Sequence, residues 1–411
     1  MADAGVVVVG GNQAAYSAAN GLRRHGYEGP VRLITAEPWL PYQRPPLSKT
    51  FVLEKQDPEM LYFADAAFYT DHNIDVELDT RAENIDIARR VVEVAGGRTI
   101  DFDQLVIATG SRNRSFFDRV PDGVCEMRTL GDALDLRGRL ERAQRVVVIG
   151  AGFIGLEVAS VIAKLDRGIE VDIVEAAPRS MSRVLTPRTA AEMERRHIDA
   201  GARFHFGLAV TGFTEAGGRL ESVLLSDGTS LPCDLALLSI GVVPNVDLAE
   251  NAGLPVRNGV CVDATLRTEA DGIWAIGDCA AFPADYSGGE RIRLESVQNA
   301  IDQGDHVAAQ IAGGTAEAYD RVPWFWSDQC GSKLQIAGIA LGPLDVIERS
   351  DGEGRYTAYG FDGDRLTVVE TIGRPGDHMS ARKALERRLS PAREDLAAAE
   401  FSFSGWLKQV A

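Results

Sequence analysis

The sequence predicts an α/β protein made of two copies of one strand–turn–helix unit, with a smaller α+β segment after them. Three observations carry this. The run VVVV, Val6–Val9, leads through GGNQAA into a stretch of small residues that ends near Leu22. The same succession returns in VVVIGAGFIGLEVASVIA, Val146–Ala163. Each copy closes on an Asp-led apolar run that stops at glycine: DQLVIATG ends at Gly110 and DLALLSIG at Gly241. Short, bounded apolar runs of this kind are buried parallel strands. The repeat is of whole-domain length, so it is a duplication and not a short-period solenoid.

The second copy states its chemistry more fully. Gly150, Gly152 and Gly155 complete G-x-G-x-x-G between strand and helix. The first glycine makes the turn, the second lets backbone approach a pyrophosphate, and the third lets helix pack on strand. Phe153 and Ile154 open the helix, whose free N–H groups and dipole favour phosphate. Glu175 follows Gly155 by 20 residues, at the end of the next apolar run, where an acid binds a ribose hydroxyl. The copy therefore reads as a Rossmann-like dinucleotide-binding unit. In the first copy only Gly10 is kept; Asn12 and Ala15 stand for the other two glycines. Asn tolerates left-handed backbone angles, and Ala15 adds one methyl group. By its duplicated position this loop is also expected to hold a nucleotide.

Composition bounds the rest. The 411 residues suffice for two or three domains, and 45% hydrophobic with 25% charged residues is ordinary for a globular chain. A net charge of −17 argues against nucleic acid as a partner. No run is long enough for a membrane span, and the N-terminus lacks a cleavable apolar core, so a cytoplasmic location is expected. The five cysteines form no C-x-x-C pair and the six histidines show no ligand spacing, so no metal site is expected. Beyond a turn at Val243-Pro244-Asn245, Ile273–Ile276 reads as a further strand. Gly277 and Asp278 lie at its end, where open α/β sheets bind ligands. From about Pro323, turns at Asp351-Gly352 and Asp362-Gly363 and a basic helix, ARKALERRL, mark the third segment.

PYQRPPLSK (Pro41–Lys49), LVIATGSR, VIGAGFIGLEVA, ESVQNA (Glu295–Ala300) and PWFWSDQ (Pro323–Gln329) together resemble the FAD-dependent, NADH-using ferredoxin reductases of the putidaredoxin and rhodocoxin reductase type. The resemblance spans essentially the whole chain. It implies a glutathione-reductase-like arrangement: a discontinuous FAD domain, 1–110 and 242–320; an NAD domain, 111–241; and a C-terminal interface domain, 321–411. It implies FAD contacts at Ala14, Lys49, Ala82, Arg128, Asp278 and Val297. Within the same motifs lie Arg44, Pro46, Ala108, Thr109, Gly110, Gly277 and Ser296. It implies NADH contacts at Glu157, Glu175, Arg183 and Gly241, and places Trp326 against the flavin ring. One departure concerns the adenosine ribose: Ala36 stands where the family usually has Asp, and its neighbour Glu37 is the candidate replacement.

Lys49 follows two prolines that fix its direction. A lysine over a flavin favours the reduced, anionic ring and pairs with a carboxylate such as Glu157, so Lys49, Glu157 and Trp326 are the candidate catalytic residues. Cys279 reads as a small buried thiol. Gly10 to Ile107 contains no cysteine, whereas disulfide reductases of this fold group carry a pair there. The electrons therefore need an external acceptor. A 2Fe-2S ferredoxin feeding a haem monooxygenase or Rieske-type oxygenase is the first expectation. The alternatives are an NADH oxidase, a quinone or rubredoxin reductase, and a redox-responsive binding protein like apoptosis-inducing factor. Arg291, Arg293 and Lys333, beside the flavin motifs, are expected to steer an acidic partner.

Overall fold

The computed structural model describes residues 4–352, 354–398 and 400–410. The chain divides into two compact units: Met1–Arg44, Pro58–Arg112 and Val242–Arg321 form one, and Pro45–Asp57, Asn113–Gly241 and Val322–Ala411 form the other.

The first unit is built on a five-stranded parallel sheet in the order 273–275, 104–107, 6–9, 31–34, 74–77. Val6, Val7 and Val8 are at most 1% exposed, as a strand covered on both faces requires. The helix Gln13–Arg24 packs on the helix Val297–Ile311, and the crossing needs small residues. A Cβ on Gly304 would lie 2.7 Å from the Ser17 Cβ, and one on Gly21 would lie 2.8 Å from the Ala308 Cβ. The expected strand at Ile273–Ile276 is present as Ile273–Ala275.

The second unit repeats the design. Its parallel sheet runs 124–126, 235–238, 145–149, 170–175, 203–206. The sheets share one core order, while the edge strand comes from downstream in the first unit and from upstream in the second. The correspondence reaches single bonds. Gly10 N–H donates to the Ile34 carbonyl at 2.9 Å, and Gly150 N–H to the Val174 carbonyl at 2.8 Å. The same unit holds a C-terminal antiparallel sheet in the order 324–329, 332–338, 365–372, 356–362, 345–350, followed by the helix Pro375–Glu386. That helix starts before the expected ARKALERRL because Pro375 suits its first turn, and it ends earlier, with Arg388 at φ +57°. The segment Pro45–Asp57, expected within the first domain, clusters instead with the second unit. The reason is packing: Phe51 is fully buried with the Arg137 guanidinium 4.9 Å from its ring centre, and Lys55 pairs with Glu141 at 2.7 Å.

Candidate functional site

In the first unit, Gly10 adopts φ +143°, and a Cβ there would strike the Ala108 carbonyl oxygen at 2.2 Å. The glycine is thus required by the neighbouring strand end. Gly11, which the G-x-G pattern does not count, is equally constrained, since its Cβ would meet Thr35 Oγ1 at 2.3 Å. Asn12 corrects the sequence reading. Its φ is −118°, extended and not left-handed. Asn stands here for its side chain: Oδ1 accepts the N–H groups of Ala14 and Ala15 at 3.1 and 3.2 Å, and Nδ2 donates to the Ala108 carbonyl at 2.6 Å. It is a helix N-cap that also ties the loop to the adjacent strand. Ala15 is fully buried.

Around this loop the chain assembles polar groups. Ala36 is exposed and offers no hydrogen-bonding side chain. Glu37 is turned toward its own loop, accepting from Tyr42 Oη and from Arg44 at 2.6 Å each. Thr109 and Gly110 are clamped by Asn245, whose Nδ2 donates to the Thr109 carbonyl at 2.9 Å and whose N–H donates to the Gly110 carbonyl at 2.9 Å. Asp278 accepts from Ser111 Oγ at 2.8 Å, and Gly277 N–H donates to the fully buried Gln303 at 2.7 Å. A Cβ on Gly277 would lie 2.9 Å from that of Ala14, so loop and strand end meet here. Ser296 caps the helix that begins at Val297, accepting from Asn299 N–H at 3.1 Å. Ala82 is half-buried on the strand Ala82–Asp86.

In the second unit, the Gly150 Cβ position lies 2.3 Å from the Ser239 carbonyl oxygen, the counterpart of Gly10 on Ala108. A Cβ on Gly155 would lie 2.4 Å from the Gly150 carbonyl oxygen, so the third glycine is sterically obligatory. Gly152 differs: its Cβ would have nothing nearer than the Ser239 oxygen at 4.0 Å, and no side chain caps the helix Phe153–Lys164. An open glycine before uncapped helix amides is a cradle that fits a diphosphate. Phe153 packs on Phe325 with ring centres 4.4 Å apart, and Ile154 is the next residue of that helix. The Glu175 carboxylate accepts the N–H groups of Ala151 and Ala177 at 2.8 Å each, so the acid braces the glycine loop. Arg183 reaches Gly241, where a Cβ would lie 3.5 Å from its guanidinium.

Lys49 and Glu157 meet. Lys49 Nζ lies 2.8 Å from Glu157 Oε2, and the glutamate is only 4% exposed. Ser48 Oγ donates to the same oxygen and Ser327 Oγ to Oε1, both at 2.5 Å. The rigid turn Pro45–Ser48 sets this approach. Pro46 belongs to that turn. Trp326 stands beside Trp324 on one edge of the C-terminal sheet, ring centres 5.5 Å apart. Arg128 precedes the helix Leu130–Leu140, and its N–H donates to Asp132 at 3.0 Å. The residues expected at FAD thus divide: Pro46, Lys49, Arg128 and Trp326 lie in the second unit and the others in the first.

One expected steering residue is withdrawn. Arg293 has a side chain 9% exposed, pairs with Glu295 at 2.7 Å and donates to the Asp278 carbonyl at 3.2 Å. Its charge is spent inside the fold. Cys279 is fully buried, with its thiol pushed up by burial. Ser48, Ser111, Asn245, Gln303 and Ser327 were not anticipated. The three serines sit inside motifs already noted and Asn245 in the noted turn, but nothing in the pattern marks a serine as a carboxylate donor.

Comparison with known proteins gives the family of the chain. The pattern of the family described as pyridine nucleotide-disulphide oxidoreductase matches residues 4–304, and that described as reductase C-terminal matches 324–407. The chain is 41% identical to rhodocoxin reductase of Rhodococcus erythropolis, over 96% of this chain and 92% of that one. It is 34% identical to putidaredoxin reductase of Pseudomonas putida, over 97% and 98%. Among solved structures, the ferredoxin reductase for the CYP199A2 system of Rhodopseudomonas palustris superimposes with a TM-score of 0.94 at 41% identity, covering 98% of this chain and 100% of that one. The covalent putidaredoxin reductase–putidaredoxin complex gives a TM-score of 0.94 at 34% identity, covering 99% and 98%.

Proposed function

This chain belongs to the pyridine nucleotide-disulphide oxidoreductase family, and from that premise we propose that it passes electrons from NADH through FAD to a 2Fe-2S ferredoxin serving a haem monooxygenase or Rieske-type oxygenase. It is an oxidoreductase using FAD and NADH, and its partner is a ferredoxin. One observation carries the choice of an external acceptor. Gly10 to Ile107 holds no cysteine, and the residue presented by the proline turn is Lys49, paired with Glu157. That stretch therefore offers no thiol to take the electrons.

The chemistry supplied by bound FAD is the conversion of a two-electron hydride into single electrons. The protein's part is binding and placement. In the first unit, Asn12 takes the N–H groups of Ala14 and Ala15, leaving those of Asn12 and Gln13 without a partner among the described residues. These amides, with the helix dipole, suit the FAD diphosphate. Asp278, fixed by Ser111, and the Thr109–Gly110 turn, fixed by Asn245, are assigned to the same cofactor. In the second unit the Gly152 cradle takes the NADH diphosphate, and Glu175 its adenosine ribose. Lys49, with Glu157, is assigned the charge that attends hydride transfer, and Trp326 the aromatic contact. A reducing, cytoplasmic setting belongs to the same reading, supported by five cysteines that all remain free thiols.

The test is NADH-driven turnover of purified, FAD-loaded protein, run without oxygen for ferredoxin, quinone and disulfide acceptors and in air-saturated buffer for oxygen. Rapid NADH-dependent reduction of a 2Fe-2S ferredoxin, with slow reduction of oxygen, quinones and disulfides, is expected. Faster reduction of oxygen or quinone than of any ferredoxin overturns the proposal.

A further inference from the structure

Behind Glu157 runs a chain of hydrogen bonds through buried side chains. Ser327 Oγ contacts Glu157 Oε1 at 2.5 Å, and Gln329 Nε2 contacts Ser327 Oγ at 2.9 Å. Gln329 Oε1 contacts His197 Nε2 at 3.0 Å, and His197 Nδ1 contacts Cys330 Sγ at 3.5 Å. Ser327 and Gln329 are 0% exposed and His197 is 1% exposed, so no water competes.

The donors can be ordered by elimination. Glu157, paired with Lys49, only accepts, so Ser327 must spend its single hydroxyl proton on it. Ser327 must then accept from Gln329, which turns the amide nitrogen toward Ser327 and its oxygen toward His197. His197 must donate through Nε2, which leaves Nδ1 to accept the Cys330 thiol proton. Burial lowers the His197 pKa and keeps the ring neutral, so one tautomer suffices. Every bond donates toward the carboxylate.

We propose that Ser327, aimed by Gln329 and His197, is a positioning residue that fixes the Glu157 carboxylate for hydride transfer. This rests on the assignment of Glu157 made above. Ser327 and Gln329 lie on the strand Trp324–Gln329, two residues apart and on one face, while His197 lies in the last turn of the helix Pro187–Asp199. The C-terminal sheet thereby holds a residue of the nucleotide-binding helix in place. The Gln329 amide blocks the serine from turning its proton away, because that side presents an N–H donor and no acceptor for a reversed hydroxyl.

The experiment has two readouts. The first is the His197 tautomer, read from ¹⁵N shifts of histidine-labelled protein and assigned with a His197→Asn variant. Nε2–H is expected; Nδ1–H overturns the donor order. The second is flavin reduction by NADH in rapid mixing, with the NADH dissociation constant measured separately. Ser327→Ala is expected to slow reduction about 10-fold with NADH binding unchanged, and Ser327→Thr to restore most of the rate. Adding Ser327→Ala to Glu157→Gln should cost nothing further. A fast Ser327→Ala beside a slow Glu157→Gln, or losses that multiply, overturns the proposal. A Glu157→Gln protein as fast as wild type defeats the assignment of Glu157 instead, while the tautomer still decides the hydrogen-bond order.

Discussion

The side-chain amide of Asn12 donates to the Ala108 carbonyl at 2.6 Å, binding the first glycine loop to the strand end beside it. The second loop has no such tie, because Gly152 has no side chain. The degraded fingerprint is therefore a substitution of side-chain bonds for backbone freedom. Asn12→Ala removes both the cap and the tie and is expected to destabilise the protein by about 1–2 kcal/mol; Asn12→Gly, which restores the motif, is expected to cost less. Urea unfolding of the FAD-loaded variants checks this. Equal stability of all three proteins would contradict the bracing role.

Why Asn12 was misjudged shows what the sequence discloses. The central strands of both parallel sheets are legible, since a bounded apolar run leading into or ending at a glycine has few other solutions, whereas the short outer strands 31–34, 74–77, 124–126 and 203–206 carry no such mark. Glycines at fixed spacing and the acid at Glu175 were legible for the same reason: spacing translates directly into geometry. Asn12 was placed at the right position but given the wrong job, because a sequence shows which residue replaces glycine and not its φ. The packing of Phe51 under Arg137 joins segments far apart in sequence, and apolarity alone does not name the surface it covers. Ser48 and Ser327 lay within quoted motifs, yet serine carries no periodic signal. Arg293 is a steering candidate in the sequence only because it lies beside ESVQNA, and nothing there shows that its charge is taken by Glu295, two residues on.

Glu175 braces the glycine loop and is proposed to bind the NADH ribose as well. Its carboxylate accepts from Ala151 and Ala177, and a ribose hydroxyl would donate to the same oxygens. A 2′-phosphate would meet like charge there, so NADH is expected to be strongly preferred to NADPH. Arg183 is exposed nearby, and Arg179 is held by the Ser182 carbonyl at 3.0 Å. Glu175→Ala should narrow the preference by at least tenfold in kcat/KM, mainly through weaker NADH use. It should also lower the melting temperature, since two backbone donors lose their acceptor. An unchanged cofactor ratio would remove Glu175 from the ribose site.

Glu370 offers a test of pH-dependent stability. It is 1% exposed, accepting from Thr186 N–H at 2.8 Å and Thr186 Oγ at 2.7 Å, at the start of the helix Pro187–Asp199. Burial pushes its carboxyl above the usual range, opposed by the threonine hydrogen bonds and the Arg179 charge. A carboxyl raised on folding binds its proton more tightly in the native state. Its contribution is complete below the ordinary carboxylate value and is lost as pH rises through the raised one. Glu370→Gln removes this dependence and keeps an acceptor for Thr186 N–H. The stability difference should therefore shift toward the variant as pH rises from about 4.5 to neutrality. A shift toward wild type over that range would refute the sign.

His378 acts in the opposite direction. Its ring is 1% exposed, neither nitrogen has a hydrogen-bond partner among the described residues, and it meets Trp324 edge-on with ring centres 5.7 Å apart. Burial, reinforced by the charges of Arg382 and Lys333, pushes its pKa down to about 4. The unfolded chain takes up that proton near the ordinary histidine value, about 6.5, while the folded protein resists it. Stability contributed by the neutral ring is thus complete above about 6.5 and is lost as pH falls toward 4, by up to about 3 kcal/mol. His378→Phe keeps an aromatic ring against Trp324 and has nothing to protonate. Its unfolding free energy should stay flatter than that of wild type between pH 6.5 and 4, with the two curves parallel above pH 7. Parallel curves throughout the acid range would show that His378 titrates alike in both states and that the acid sensitivity arises elsewhere.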